Sequence, residues 1–256
     1  MAKIVAVHSF RGGTGKSNTT ANLAALVALA GHRVGIIDTD NQSPGIHVIF
    51  ALDQEKVIHA LNDFLWGRCK IEEAAYDVTP AATNGTPALN PRTKLLLIPS
   101  SVKTGEIARV LRDGYDVGML NDGFQALVRE LALDYLFIDT HPGVNEETLL
   151  SIAICDQFLL IMRPDNQDFQ GTAVTVELAH RLEVRNIMLI VNKIPQGMNR
   201  ELLKGQIETT YRAPVVGLLP LNSEMASLAS SGLFAIRFPD HPLTQELKSI
   251  AQRVMA

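Results

Sequence analysis

A chain of 256 residues, 46% hydrophobic and 20% charged, is long enough to bury a sizeable core and too apolar to remain disordered. The net charge of −4 gives no global reason to expect nucleic acid, although a local basic patch fits within it. Two cysteines, Cys69 and Cys155, exclude a disulfide framework or a metal knuckle by spacing; with no signal peptide in "MAKIVAVHSF" and no run near the roughly 18 apolar residues of a spanning helix, a cytosolic protein is expected.

The first apolar run, residues 3–9, leads into a glycine-rich loop and then a helical run over 15–31, for which Gly31 is the expected C-cap. Further strands are expected over 33–38, 94–100, 134–140, 156–164, 186–193 and 213–220, with a second helix over 167–183. These strands are nearly continuous apolar runs rather than alternating ones, which suits a parallel sheet covered on both faces. The expected fold is α/β: one domain over 1–256 with a doubly wound, mainly parallel sheet, helices on both faces and right-handed crossovers. The segment 77–94, rich in Pro, Thr and Asn, reads as a surface excursion because strand-like sequence resumes directly after it.

In open α/β sheets ligands sit beyond the carboxyl ends of the strands, so the residues after each strand are where chemistry should collect. After the first strand the chain reads "HSFRGGTGKSNTT", residues 8–20. The usual phosphate loop is G-x-x-x-x-G-K-[ST], and its first glycine would fall at Phe10. The remainder of the loop, Gly12, Gly13, Thr14, Gly15, Lys16, Ser17 and Asn18, is the candidate phosphate site. Its glycines let backbone amides curl around phosphate oxygens. Lys16 can reach the terminal phosphates, Ser17 offers a hydroxyl to Mg²⁺, and the helix that follows begins with its positive dipole end at the anion.

"IIDTDNQ" supplies Asp38 and Asp40, which either hold metal-bound water and orient an attacking water, or form a polar loop with an Asp cap. "LFIDT" ends an apolar strand in Asp139, the arrangement of a Walker B carboxylate. His141 in "DTHPG" reads as a turn residue rather than a base, since phosphoryl transfer is mostly positioning and electrostatics. His8 reads as a packed neighbour of the loop.

In order and approximate spacing, "RGGTGKS", "DTDNQ", "FIDTHPG", "RPD" and "VNK" resemble the ParA/MinD family of P-loop ATPases, the deviant Walker A group, over nearly the whole chain. That group does not require a glycine at position 10. Within it, the chain looks most like the cyanobacterial McdA-type members, which space carboxysomes along the nucleoid, with plasmid or chromosome partition ParA close behind. The resemblance implies slow ATP hydrolysis with ATP and Mg²⁺ as cofactors, and ATP-dependent homodimers that sandwich two nucleotides. It implies a nucleoid-associated cytoplasmic location, nonspecific DNA as a partner and a cargo adaptor protein.

The same resemblance assigns phosphate and Mg²⁺ to Lys16 and Ser17, the hydrolytic water to Asp40, the metal shell to Asp38, the Walker B role to Asp139, and the adenine edge to Asn192 and the loop beginning at Pro220. At position 11 the family keeps a lysine that reaches across the dimer. Here stands Arg11, which either serves in trans or yields that role to Arg163 or Lys103. Basic residues for a DNA track are Arg200, Lys204, Arg212, Arg237, Lys248 and Arg253.

Three other readings use the same fold. An iron–sulfur ATPase needs suitably placed cysteines, and Cys69 and Cys155 form no close pair in sequence. A MinD-like membrane switch needs a free amphipathic C-terminal helix. Residues 242–256 place Leu243, Leu247, Ile250, Ala251 and Val254 on one face, but the segment is short and reads as a helix docked on the domain. A nonhydrolysing nucleotide sensor follows if Arg11 cannot replace the lysine.

Overall fold

The computed structural model describes residues 2–86, 88 and 90–256; Pro87 and Leu89 of the expected surface excursion lie outside the described residues. Eight strands form one sheet: β1 (Lys3–His8), β2 (Arg33–Asp38), β3 (Tyr76–Asp77), β4 (Lys94–Ile98), β5 (Tyr135–Asp139), β6 (Gln157–Met162), β7 (Ile187–Ile194) and β8 (Val215–Pro220). Their order across the sheet is β3-β4-β2-β5-β1-β6-β7-β8, and every neighbouring pair is parallel except β3 with β4.

The strands are apolar throughout because both faces are covered. Along β1, Val5 and Val7 join the core beneath α1 (Lys16–Leu29) and the last helix, Pro242–Met255. Ile4 and Ala6 point the other way, toward the helices Val117–Glu130 and Asn166–Arg181. Tyr135 and Phe137 of β5 share the first face, Leu136 and Ile138 the second. Alternation is present, but apolar layers lie on both sides of it.

The expected strands are all found, most with trimmed ends, so that 94–100 becomes Lys94–Ile98, while 33–38 is unchanged and 186–193 shifts to Ile187–Ile194. The expected helix over 167–183 is Asn166–Arg181. α1 ends at Leu29, and Gly31 follows with φ +101°, where a side chain would also meet Asn90. Strand β3 was not expected: two residues paired antiparallel at the sheet edge leave no hydrophobic run to read. It falls at the start of the 77–94 excursion, which also carries the short helix Thr79–Ala82. The last helix is docked, as its sequence suggested: Leu243, Leu247, Ile250, Ala251 and Val254 are all buried against the domain.

Phe10, standing where the usual loop has glycine, has a structural partner. A Cβ added to Gly171, on the helix Asn166–Arg181, would overlap the Phe10 ring and its Cβ. The side chain packs directly against this glycine and ties the start of the phosphate loop to the helix that follows β6. Gly171→Ala pits two effects against each other. Helix propensity favours alanine by about 1 kcal/mol, whereas overpacking costs about 1–3 kcal/mol. Because the overlap reaches Phe10 Cβ and not merely a movable ring edge, overpacking should win. Thermal unfolding should show Gly171→Ala destabilised relative to wild type, yet stabilising when introduced into Phe10→Ala, where the overlap is gone. A Gly171→Ala protein that gains stability on its own would contradict this packing.

Candidate nucleotide and metal site

Six strand ends converge on one edge of the sheet. The loop after β1 turns through Gly13 at φ +77° and Gly15 at φ +93°, conformations that carry a steric cost for any side chain. Gly15 also touches the end of β7, since a Cβ there would lie 2.5 Å from Asn192 Nδ2. That same nitrogen donates to the Thr14 carbonyl at 2.8 Å, and Asn192 Oδ1 accepts from the Lys193 amide at 2.8 Å. Lys193, at φ +58° in an irregular stretch of the β7–β8 pairing, sends Nζ to the Gly13 carbonyl at 2.7 Å. The end of β7 thus clamps the loop from the side. The sequence reading gave Lys193 no role, because its left-handed backbone is what turns it toward the loop.

Lys16 is buried, with Nζ 2.9 Å from Asp139 Oδ1; Thr20 Oγ1 lies at the same distance from that oxygen. Asp38 stands directly beside Asp139, because the two are register partners of adjacent parallel strands. Asp38 Oδ1 accepts from the Asp40 amide at 3.0 Å. Asp38 Oδ2 and Asp139 Oδ2 are both buried without a hydrogen-bond partner among the described residues. Burial, followed by repulsion from Asp139, pushes the Asp38 carboxyl well above its ordinary value despite the opposing charge of Lys16. Two side-by-side carboxylates facing one buried lysine are short of positive charge.

That shortage is the fit test for Mg²⁺. No group of three or more His, Cys, Asp or Glu side chains suited to a metal occurs among the described residues. A site of one or two carboxylates, a hydroxyl and phosphate oxygens is what Mg²⁺ uses, because it retains waters and resists dehydration. Asp38, Asp139 and half-buried Ser17 at the start of α1 are groups of that kind and would be the protein's share of such a site. Gly12 and Gly13 are exposed, Thr14 is buried, and Asn18 is half-buried.

On the other side of the loop a cavity of about 250 Å³ is lined by Gly15, Asn18, Asn192, Pro220, Leu221 and Asn222, among others. Its walls are mostly apolar, suiting a flat aromatic base. The residues expected to hold adenine therefore do meet in space. The Asn192 side chain, however, is also engaged with the loop.

Asp40 projects from the chain beyond β2. Burial raises its carboxyl, but hydrogen bonds from His141 and Ser43 outweigh this and hold it below its ordinary value. His141 Nδ1 is 2.7 Å from Asp40 Oδ1, a contact the turn reading of His141 missed. His8 is as expected: fully buried, stacked near Phe158, with Nδ1 2.7 Å from Thr140 Oγ1. Desolvation, with Lys16 adding to it, lowers it to about 3, so it is neutral.

Arg11 lies at the rim, its side chain 39% exposed, 3.8 Å from Asp165 and 3.7 Å from Asp168. Arg163 grips the same acids more tightly: its Nε is 3.1 Å and its backbone amide 2.8 Å from Asp168 Oδ2, and Nη2 is 3.0 Å from Asp165. The two candidate arginines therefore compete for one acidic pair, and Arg11 is the more loosely held. Lys103 precedes the helix Thr104–Asp113 and is exposed. Cys155 donates to the Ile152 carbonyl, and burial raises the Cys155 and Cys69 thiols to about 12 and 11.

Residues 5–236 match the CobQ/CobB/MinD/ParA nucleotide binding domain family. The chain belongs to this family. An uncharacterized ATP-binding protein of Methanocaldococcus jannaschii is 28% identical over 256 residues, covering 100% of this chain and 88% of that one. The septum site-determining protein MinD of Pyrococcus horikoshii, solved with Mg-ADP, superposes with a TM-score of 0.77 at 19% identity over 99% of this chain and 96% of that one. Apo McdA from Cyanthece does so with a TM-score of 0.76 at 18% identity, each chain covered fully. The ParA/MinD branch consists of P-loop ATPases that use ATP with Mg²⁺, and the sheet found here is theirs.

Behind Asp40 in this ParA/MinD fold sits Glu147, 7% exposed, its Oε1 3.1 Å from Asn145 Nδ2. Burial, and then the charge of Asp40, raises its carboxyl to about 7. The unfolded chain releases this proton near 4.5, so the stability it contributes is full below that pH and is lost as pH rises through about 7. Glu147→Gln should match wild type in unfolding experiments at pH 4 and exceed it by about 3 kcal/mol at pH 8. Equal stability at both pH values would show that Glu147 ionises freely.

Proposed function

We propose that this chain is a deviant Walker A ATPase that dimerises on ATP and positions or partitions a cellular cargo through ATP-gated, sequence-independent DNA binding. The observation that carries the reading is the charge-deficient Asp38–Asp139 pair at the mouth of the glycine loop, which a Mg–nucleotide completes. Full-length likeness to MinD and McdA structures supports the positioning role.

In this reading backbone amides of Gly12 to Ser17 hold the phosphates, and Lys16 turns from Asp139 toward the terminal phosphate. Ser17, Asp38 and Asp139 hold Mg²⁺, which when bound offsets charge on the phosphate oxygens. Asp40 orients the attacking water, and Asn192 and Pro220 flank the adenine. Arg11 leaves Asp165 and Asp168 to reach the partner's phosphates, where a bidentate guanidinium serves in place of lysine. Arg163, held to Asp168 by its own backbone, stays behind as the anchor of the acidic pair.

Exposed Arg200, Arg212, Arg237 and Arg253, with half-buried Lys204 and Lys248, are the candidates for phosphate contacts along DNA. A carboxysome, plasmid or chromosome is the cargo class, reached through an adaptor protein. The last helix buries its five apolar side chains against the domain, so that helix is not read as a membrane anchor.

Gel filtration tests the dimer: Mg–ATP should shift the protein from monomer to dimer. Asp40→Ala should hold the dimer by slowing hydrolysis. Lys16→Ala should lose nucleotide affinity by about 1.5–3 kcal/mol, the scale of a charge-assisted contact. Arg11→Ala should keep ATP binding but lose dimerisation and about 10³-fold or more in hydrolysis rate. No change in size with Mg–ATP would refute the sandwich, and full activity in Arg11→Ala would remove Arg11 from the trans role. DNA affinity should require ATP and fall with salt, with log K against log salt sloping by about −0.9 per neutralised phosphate.

A further inference from the structure

Two carboxylates, Asp38 and Asp139, end neighbouring strands in register. Two residues beyond each, the outgoing chains meet again, through Asp40 and His141. The second contact is not a generic product of the first. Thr140 fixes the exit from β5 by donating its amide and its hydroxyl to the Val7 carbonyl, at 3.2 and 3.0 Å. Gly143, at φ +89°, turns the chain so that its amide reaches the Ser9 carbonyl at 3.3 Å, and Thr148 Oγ1 reaches the His141 carbonyl at 3.4 Å. The His141 backbone is thereby tied to β1 and to the helix Glu146–Ile154, and its ring is directed at Asp40.

The contacts on Asp40 are uneven. Oδ1 accepts from His141 Nδ1 at 2.7 Å and from the Ser43 amide at 2.9 Å, and Ser43 Oγ lies 3.0 Å from each oxygen. One oxygen is anchored from two sides; the other keeps acceptor capacity. With side-chain exposures of 11% for Asp40 and 19% for His141, the pair is shielded enough for the contact to be directional. An ionised carboxylate can only accept, so His141 Nδ1 carries the proton.

We propose that His141 is a positioning residue for hydrolysis: by donating from Nδ1 to Asp40 Oδ1 it fixes the carboxylate so that Oδ2 faces the attacking water. The proposal rests on the hydrolase reading, in which Asp40 orients that water. His141 touches neither nucleotide nor water in this role, so its loss should act on turnover and leave binding alone.

Steady-state ATP hydrolysis by the full chain with Mg²⁺ separates the possibilities. His141→Ala should lower kcat by about 10–100-fold, the scale of a misplaced reacting group, with KM nearly unchanged. Asparagine places its amide nitrogen where His141 has Nδ1, whereas glutamine reaches only the Nε2 position. His141→Asn should therefore restore most of the turnover and His141→Gln should not. In the nucleotide-free wild-type protein, ¹⁵N NMR of the imidazole should show a protonated Nδ1, a readout independent of activity and of the variants' folding. A deprotonated Nδ1, an unchanged kcat in His141→Ala, or equal rates for the Asn and Ala variants would each overturn the role of His141. A wild-type protein that fails to hydrolyse ATP would instead overturn the reading beneath it.

Discussion

Parallel pairing of β2 with β5 brings Asp38 and Asp139 together at the end of the sheet, and the rest of the site is organised around that repulsion. Both carboxylates are almost fully buried and each leaves one oxygen without a partner among the described residues. Lys16 compensates part of the charge by folding back onto Asp139, and Asp38 answers with a raised affinity for its proton. A fold carries such a conflict where a ligand resolves it. In the proposed function Mg²⁺ would supply the missing charge, and bound phosphates would compete with Asp139 for Lys16.

Three cations at this end of the sheet, Lys16, Lys193 and Arg11, are held by groups that a nucleotide could replace or rearrange. Lys16 is held by Asp139, Lys193 by the Gly13 carbonyl, and Arg11 by two acids that Arg163 already satisfies. Arg11 makes the longest of these contacts and has the most freedom to move. Phe10, by packing on Gly171, ties the loop to the same helix that carries Asp168, so loop and acidic pair are set by one element.

Much of this could be read from the sequence, for a physical reason: a parallel sheet buried on both faces writes its strands as apolar runs, and its ligands gather at their ends. That logic located the strands and picked out Asp38, Asp40, Asp139 and the loop from Gly12 to Asn18. It failed where the signal lies in pairing across the chain. His141 looked like a turn residue because its partner Asp40 stands 101 positions earlier. Phe10 looked like a gap in a motif because its counterpart is a glycine on a distant helix. Lys193 depends on one left-handed backbone angle, and β3 on two residues at an edge.

The central claim is that the Asp38–Asp139 pair is a half-built metal–nucleotide site, and thermal unfolding under four conditions tests it most directly. The protein should be compared without ligand, with Mg²⁺ alone, with ATP plus a chelator, and with Mg²⁺ and ATP together. Ligand that binds the folded state raises stability in proportion to RT ln(1 + [L]/Kd). The account predicts a large rise in Tm with Mg²⁺ and ATP together, well above the sum of the two separate effects, and absent in Asp38→Asn. Stabilisation by ATP that is equally large with the chelator, or a full Mg²⁺-dependent rise in Asp38→Asn, would contradict it.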